Sequence, residues 1–471
     1  MQKKLHIKTN NKQVNNSIQI AFNDIYGNIK QLKSPLDQKQ KKVLIAGADY
    51  DRPWTRDTAI NIYNGFCLMD KEIAKNTLLS VLENINEQIY IGGQYWDAII
   101  WALGAYQYYL VTKDKEFLVT AYKAIKNTLK ERETNEYTKE YGLFRGPAVY
   151  GDGVAAYPLI YGYSGKFSSI LYYPKFNEDK CYKEGFGIPM HALSTNIVYL
   201  LAYRIIIQIA QNLNSSDNIK IYKDKETKLA KAIKKHFIYA NERLKYIVGN
   251  LGDCIRQEGL GIAFASMANI VGKEAFNHLH ISNSGIPCLF PNFARYNIGN
   301  EYGRQSGTIW PHIQGFFAVE ALKREKYPMF EFEFNKLTEF SNRDKQFYEI
   351  FHPDTGKVYG GIQEHRTVEG VKKYKSCEHQ TWSATAYLSM ILYGFAGIEI
   401  TQDKISFKPY LNDQINNIYI ENLNIVKANI NLKIKGKGNT IKSFQINNQE
   451  VNSNFIDSNL EGNIEISIMM E

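Results

Sequence analysis

The hexapeptide Arg52-Pro-Trp-Thr-Arg-Asp57 carries the residue types that hold a sugar ring. An arginine beside an aspartate offers a donor and an acceptor, so Arg56 and Asp57 can bind adjacent hydroxyls through charge-assisted hydrogen bonds. Trp54 adds an apolar face on which a ring can stack, and Arg52 adds a second cation. The same string also suits a helix start with an ordinary salt bridge, and its spacing alone leaves both interpretations open.

A second candidate is Asp152, which stands between two glycines in the aromatic segment 143–158. Cleavage of a glycosidic bond needs two carboxyl groups on opposite sides of the anomeric carbon, one of them protonated. The segment holds few other charges, so we expect apolar surroundings to raise the pKa of Asp152 and make it the general acid. The alternative is that Asp-Gly is plain turn chemistry.

Three glutamates are candidates for the catalytic base. Glu349 precedes the turn Pro353–Gly356 and is the first choice, whereas Glu364 and Glu378 lie in the following loop and are rivals. Trp382 opens the next predicted helix and would contribute to the site together with Glu378.

Two further strings add candidate sugar contacts. Trp96 and Asp97 stand at the start of a predicted helix, where the aspartate could instead act as a cap. Arg295 and Arg304 are candidate hydroxyl clamps, and Trp310 is a candidate stacking platform directly before a proline that fits the first turn of a helix. Trp310 could instead plug the core.

Several of these strings resemble six-hairpin glycosidases of the glucoamylase, trehalase and processing α-glucosidase families. The Trp-Thr-Arg-Asp string is similar to the Trp-x-Arg-Asp signature of glucoamylases, and Gly307–Pro311 is similar to their Gly-x-x-Trp-Pro segment. Glu349 before a turn and the Trp-Ser-Ala string at Trp382 match the region of the catalytic base. The resemblance covers roughly residues 45–396.

The resemblance implies substrate binding by Trp54, Arg56 and Asp57, with Glu349 as base and Asp152 as general acid. It implies an inverting glycoside hydrolase that acts on a non-reducing-end sugar, with an α-glycosidic bond favoured. Three alternatives stay open: a glycoside phosphorylase, an epimerase or lyase on the same fold, and a non-catalytic carbohydrate-binding protein.

The elements that must position these residues are mainly helical. Apolar residues recur at helical spacing in about twelve segments, among them 72–88 and 272–280. Twelve helices in six hairpins would close an (α/α)6 toroid, whose long loops 134–190, 281–306 and 343–379 would meet at one mouth. Short alternating β-branched segments follow residue 398. We therefore predict an N-terminal extension (1–45), a catalytic toroid (46–397) and a small antiparallel β-domain (398–471).

Composition excludes several other classes. The chain has 471 residues with 44% hydrophobic residues and a net charge of +9, and its scattered lysines do not indicate nucleic-acid binding. The five cysteines form no C-x-x-C pair and the histidines no metal motif, so we expect neither disulfides nor a metal or cofactor. No signal peptide or membrane span is expected, and the prediction is a cytoplasmic enzyme with a glycoside substrate and no membrane partner. The oligomeric state is not predicted.

Overall fold

The computed structural model describes residues 4–161, 168–176, 186–215, 219–365 and 368–471. Helices dominate from Lys12 to Ser389 and strands follow from Ile398, so the predicted order of a helical region before a C-terminal sheet is confirmed. The helices are α1 (Lys12–Gly27), α2 (Thr55–Asn61), α3 (Cys67–Met69), α4 (Lys71–Ser80), α5 (Trp101–Thr112), α6 (Lys115–Asn135), α7 (Leu193–Asn212), α8 (Ile219–Phe237), α9 (Gly259–Met267), α10 (Pro311–Lys323), α11 (Tyr327–Asp344) and α12 (Thr381–Ser389).

Strands occur as short two-stranded pairs in the loops and as two larger sheets formed mainly by the end of the chain. They are β1 (His6–Thr9), β2 (Ile29–Lys33), β3 (Gln40–Leu44), β4 (Leu82–Ile85), β5 (Gln88–Ile91), β6 (Tyr137–Thr138), β7 (Leu143–Phe144), β8 (His191–Ala192), β9 (Ile238–Tyr239), β10 (Arg243–Leu244), β11 (Ile247–Val248), β12 (Gln257–Glu258), β13 (Leu289–Phe290), β14 (Ile362–His365), β15 (Val368–Lys373), β16 (Ile398–Ile400), β17 (Lys404–Phe407), β18 (Asn417–Ile425), β19 (Lys427–Lys435), β20 (Ile441–Ile446), β21 (Gln449–Glu450), β22 (Phe455–Asp457) and β23 (Glu461–Met470).

An inner layer of helices is buried on nearly every side. Its members contact one another in the series α2, α5, α7, α9, α10 and α12, and α12 also contacts α2. Helices α2, α9, α10 and α12 bury almost all of their residues, as expected where apolar residues surround a helix. The more amphipathic helices α1, α4, α6, α8 and α11 pack outside them.

Two inner helices continue into π-helical turns, Ile62–Phe66 after α2 and Met390–Phe395 after α12. Gly65 lies in the first of these with a φ of +111°, and a Cβ atom there would lie 3.0 Å from Leu392 Cδ1. Glycine is therefore needed at this position both for the backbone conformation and for the close packing of the two π-helical turns.

Predicted site residues lie in the first turns of inner helices and in the loops that precede them. Trp54 and Trp310 immediately precede α2 and α10, and Trp382 is the second residue of α12. Pro311 occupies the first turn of α10, as predicted, because its missing N–H has no intrahelical partner there.

The C-terminal sheet corrects one prediction. Its strand order is β1-β18-β19-β23-β20-β21, and most neighbours are antiparallel, but β19 and β23 run parallel. The predicted antiparallel β-domain is therefore wrong at this central pair. Parallel neighbours require a crossover connection, which here contains β20, β21 and β22. Alternating residues of β19 are buried, so one face of the sheet belongs to the core.

The first 45 residues contribute to both regions. β1 pairs with β18 of the C-terminal sheet, and α1 packs against α11 and α12. Val14, Ile18 and Ile25 of α1 are buried in this contact. The N-terminal segment is thus part of the core, while the domain boundaries after residues 45 and 397 stay predictions.

Two predicted helices differ in the structure. The segment 72–88 is helical only to Ser80, and β4 and β5 form a hairpin after it. Asn86 and Glu87 at its turn have φ angles of 50° and 63°, which suit a two-residue hairpin turn and not a helix. In the segment 272–280, the described helical turn is a single 3₁₀ turn, Lys273–Phe276.

Helix α7 is apolar enough to resemble a membrane span in length and composition, among the residues that the structure describes. However, 89% of its most apolar window is buried inside the fold, which is typical of a core helix.

Four cysteines are free and buried, namely Cys67, Cys254, Cys288 and Cys377. Cys181 lies outside the described residues.

Candidate active site

A cavity of about 180 Å³ lies at the N-terminal ends of α2, α10 and α12. It is smaller than the roughly 300–1,000 Å³ of drug-sized ligand sites, so it suits one sugar ring. The lining residues are Tyr50, Trp54, Arg56, Asp57, Tyr150, Asp152, Gly153, Ser168, Ser169, Arg304, Gln305, Trp310, Glu349, Gln363 and Trp382. Predicted residues from four distant strings therefore meet in one place.

Arg56 lies at the centre of a cluster of carboxyl groups. Its Nη1 donates to Asp97 Oδ2 at 3.0 Å and to Gln94 Oε1 at 2.5 Å, and its Nη2 donates to Asp152 Oδ2 at 3.1 Å. Asp57 Oδ2 lies 4.0 Å from Nε. The guanidinium thus orients several acceptors, of which Asp57 and Asp152 line the cavity.

The carboxyl groups in this cluster differ in protonation. Burial raises the pKa of Asp57 to about 7, assisted by the charges of Glu349 and Asp97 and opposed by Arg56. Burial likewise raises the pKa of Asp97 to about 7, although Arg56 opposes it. Two of the three acids near Arg56 therefore change charge close to neutral pH.

Asp152 behaves differently from the prediction. Burial acts to raise its pKa, but the charge of Arg56 and hydrogen bonds from Gln305 and Arg56 outweigh burial and lower the pKa below the ordinary value. The expectation of a raised pKa in apolar surroundings is wrong, because the loop is apolar in sequence but packs against a cation in space. Asp152 is 32% exposed, more than Asp57 at 8%.

Glu349 lies in a separate set of contacts. Arg304 Nη2 donates to Glu349 Oε2 at 2.8 Å, and the Tyr50 hydroxyl donates to Oε1 at 3.4 Å. The side chain of Glu349 is 4% exposed. The negative charge of Glu349 and burial raise the pKa of Tyr50, which therefore stays a hydrogen-bond donor.

The consecutive residues Arg304 and Gln305 hold both carboxylates. Arg304 binds Glu349 and also donates through Nη1 to the carbonyls of Gly360 and Lys375. Gln305 Nε2 donates to Asp152 Oδ1 at 2.9 Å and to the Tyr150 carbonyl at 2.7 Å. Its Oε1 accepts from the Gly153 N–H at 2.7 Å. Arg304 and Gln305, in the loop that precedes α10, thus fix the positions of both acids.

Arg295 and Glu364, predicted as a sugar clamp and a rival base, bind each other outside the cavity lining. Arg295 Nε lies 3.1 Å from Glu364 Oε1, and Glu364 Oε2 accepts from the Tyr296 hydroxyl. Arg295 Nη2 donates to the carbonyls of Val154 and Tyr157. The pair therefore braces the loop that carries Asp152.

Four other predicted site residues are also placed away from the cavity. Trp96 is fully buried and donates to the Ala148 carbonyl, because the helix start at which it stands faces the core. Asp97 is buried and accepts a hydrogen bond from Arg56, so it contacts the cavity only through that arginine. Arg52 and Glu378 are exposed, and Glu378 accepts from the Tyr348 hydroxyl.

Several lining residues were missed by sequence reasoning. Tyr50, Gln305 and Gln363 are polar neighbours of predicted positions, but their side chains reach the site through contacts between distant segments. Gln305 stands directly after Arg304, and this adjacency was the one available signal. Among the described residues, no group of three or more His, Cys, Asp or Glu side chains is arranged to hold a metal ion.

No family model and no curated protein matches this sequence. The fold is shared with solved structures of glycoside hydrolases, at identities so low that the likeness shows the fold alone.

One of these structures is described as a sialidase, with a TM-score of 0.64 and 11% identity over 90% of this chain and 37% of its own. The GH78 family rhamnosidase of Bacillus sp. GL1 has a TM-score of 0.60 and 10% identity over 92% of this chain and 42% of its own. The chain thus spans about two fifths of these proteins. The GH63 mannosylglycerate hydrolase from Thermus thermophilus, solved with glucose, has a TM-score of 0.56 and 12% identity over 80% of this chain and 99% of its own.

Proposed function

We propose that this protein is an inverting glycoside hydrolase that removes a sugar from a non-reducing end, with an α-glycosidic bond favoured. The observation that carries the proposal is the pair Asp152 and Glu349, which line one small cavity with an Arg–Asp pair and five aromatic residues. Two carboxyl groups flanking a single ring are what glycoside hydrolysis requires. The shared fold with glycoside hydrolases supports the same function.

In the proposed mechanism, Asp152 protonates the leaving oxygen and Glu349 activates a water molecule on the opposite face of the sugar. Asp152 is the more exposed acid and so can meet the leaving group, whereas Asp57 is buried with Arg56 and would bind hydroxyls of the ring. Asp152 and Glu349 have separate hydrogen-bond partners and do not bind each other. Inversion needs a spacing of roughly 6.5–9.5 Å between the two carboxyl groups.

Hydrolysis is favoured over phosphorolysis because both arginines of the cavity lining are already bonded to carboxylates. Among the described lining residues, Arg56 and Arg304 are the cations, and each is already bonded to a carboxylate. A phosphate co-substrate would need a free cation near the base.

We also propose that the inner helices close into the (α/α)6 toroid of the GH63 family, supported by the contact between α12 and α2.

Replacing Glu349 by Gln tests the proposal. We expect kcat on aryl glycosides to fall by about 100-fold or more, because general base catalysis is lost. The variant should stay folded and bind sugar, with a melting temperature that is lowered because Arg304 loses its buried counter-charge. Glu378→Gln is the matched control, since Glu378 is exposed outside the cavity. NMR of the first anomer released reads out inversion.

Full activity of the Glu349→Gln variant would overturn the assignment of the base. Turnover that requires inorganic phosphate would identify a phosphorylase instead. Saturable sugar binding without turnover by the wild type across α- and β-glycosides would indicate a binding protein.

A further inference from the structure

A second, larger cavity lies at the opposite ends of the same inner helices. It is lined by the C-terminal residues of α9 and α10 and by the π-helical turns, and it is closed on its other side by residues of the C-terminal region such as Glu399 and Tyr410. We call it the far cavity. Its volume is about 680 Å³, within the roughly 300–1,000 Å³ range of small-molecule sites. Such sites occur preferentially where two structural regions meet.

The wall of the far cavity contains both π-helical turns described above. Tyr63 and Asn64 come from Ile62–Phe66, and Tyr393 comes from Met390–Phe395. A π-helical turn is a costly departure from the α-helix and is found frequently at functional sites. Its occurrence in two separate helices at one cavity indicates that the shape of this cavity matters.

The lining combines aromatic faces with compensated charges. Tyr63 stacks on Phe316 with ring centroids 5.6 Å apart. The charged lining residues are three acids and three bases, namely Glu320, Glu325, Glu399, Lys323, Arg324 and Lys408.

Four of these six charges form two ion pairs within the wall, and the numbers of acids and bases are equal. Lys323 lies 2.8 Å from Glu320, and Lys408 lies 3.4 Å from Glu399. An anion or a cation therefore finds no excess of opposite charge among these residues. Aromatic faces beside polar groups suit a neutral ligand that has both apolar faces and hydroxyls.

Asn64 provides an independent polar signal. The residue is 3% exposed and lines the far cavity, yet its Nδ2 has no hydrogen-bond partner in the described part of the chain. Buried polar groups are nearly always bonded, so an unpartnered amide in the wall indicates a partner supplied from outside the chain.

We propose that the far cavity is a second binding site, which takes a short neutral saccharide, with the Tyr63–Phe316 pair as its stacking platform. The site is remote from Asp152 and Glu349, and the proposal does not depend on the hydrolytic function. Its occupancy is read out as binding and not as turnover.

Methyl NMR of the protein labelled at its methionines tests the proposal, because Met267 lines the far cavity and no methionine is found among the described residues of the candidate active site. Maltotriose, cellotriose and mannotriose are the neutral probes, and trigalacturonate is the anionic comparator. The Glu349→Gln protein is used so that the probes are not consumed. Met267→Leu assigns the signal.

We expect at least one neutral probe to shift the Met267 signal saturably, with a Kd in about the millimolar range, and trigalacturonate to leave it unmoved. Gln107→Trp would fill the far cavity and weaken binding at least about tenfold. Lys408→Ala removes a hydrogen-bond donor from the cavity wall and is expected to weaken binding as well. It carries little risk to folding, because Lys408 and its partner Glu399 are 71% and 56% exposed. Gln208→Trp, exposed on α7, is the matched control.

The proposal is overturned if no neutral probe moves the Met267 signal, or if trigalacturonate moves it equally. A shift that persists unchanged in both Gln107→Trp and Lys408→Ala would also overturn it, since binding would then lie elsewhere. If the wild type shows no turnover of glycosides but the Met267 signal still shifts, the hydrolytic function is contradicted and the far cavity site stays supported.

Discussion

Both oxygens of Asp152 are occupied in the structure, Oδ2 by Arg56 and Oδ1 by Gln305. These contacts favour the charged form and lower the pKa of Asp152. A general acid is active only when it is protonated, so activity is lost as the pH rises through this lowered pKa. We therefore expect kcat/KM of the proposed enzyme to be highest at acidic pH.

Gln305→Leu tests how Asp152 is positioned. Loss of its hydrogen bond removes one cause of the lowered pKa, so the pKa of Asp152 rises and the alkaline limb of kcat/KM moves to higher pH. Because the loop is also less well fixed, kcat falls by up to about 100-fold, with a smaller change in KM. A pH profile of both constants is the measurement.

Gln363→Leu is the matched control for Gln305, because Gln363 lines the same cavity and its Oε1 has no partner among the described residues. An alkaline limb that stays in place in Gln305→Leu, or that moves equally in Gln363→Leu, would contradict the role given to Gln305.

At the scale of elements, the Arg295–Glu364 pair joins β14 to the loop that follows Asp152. Both side chains are largely buried, and breaking such a pair costs about 3–5 kcal/mol because an unpaired charge stays behind. We expect Glu364→Gln to lower the melting temperature while the folded protein keeps measurable turnover. Calorimetry and kinetics on the same sample test this. Wild-type stability with abolished turnover would instead identify Glu364 as the base.

Glu258 directly precedes α9 and makes folding sensitive to pH. Burial raises its pKa from 4.5 to about 8, although hydrogen bonds from Ser194 oppose the shift. The folded-state pKa lies above the unfolded one, so this contribution to stability is complete below pH 4.5 and is lost as the pH rises through 8. The effect approaches about 1.4 kcal/mol per pH unit.

Glu258→Gln should therefore flatten the decline of the free energy of unfolding between pH 5 and pH 8, by an amount on the order of a few kcal/mol. Denaturant titrations at several pH values measure this, with the exposed Glu378→Gln as control. Parallel pH curves for wild type and Glu258→Gln would show that Glu258 is not the group responsible.

Local strings predicted the parts of the site that local sequence determines. Trp54, Arg56 and Asp57 lie within one turn of chain, and Trp310 is followed by a proline, so their position at the start of a helix could be read directly. The hairpin β4–β5 was missed because its apolar residues continue the helical spacing, and only the left-handed conformation at Asn86 and Glu87 breaks the helix.

Contacts between distant segments could not be read from spacing. The lowered pKa of Asp152 depends on Arg56, which is 96 positions away, and on Gln305, which is 153 positions away. The parallel pair β19–β23 depends in the same way on the path of the chain between them. Glu349 and Arg304 were both predicted, but not as partners.

At the scale of the whole molecule, the N-terminal segment contacts both the helical region and the C-terminal sheet. β1 completes the sheet begun at β18, and α1 covers α11 and α12. A truncated protein that begins at residue 46 would expose the edge of β18 and the apolar surface under α1. We expect it to aggregate or to melt well below the full chain, as measured by size-exclusion chromatography and calorimetry. A monomer with the full-length melting temperature would show that residues 1–45 are dispensable.

The neighbouring residues Arg304 and Gln305 have a consequence for protein engineering. Arg304 binds Glu349 and the next residue, Gln305, binds Asp152, so this dipeptide constrains the distance between the two carboxyl groups. Redesign that aims to narrow or widen that gap, for example to change the stereochemistry of the product, would have to alter this dipeptide first. If only the two acids were substituted, Arg304 and Gln305 would still hold the new side chains at the original distance.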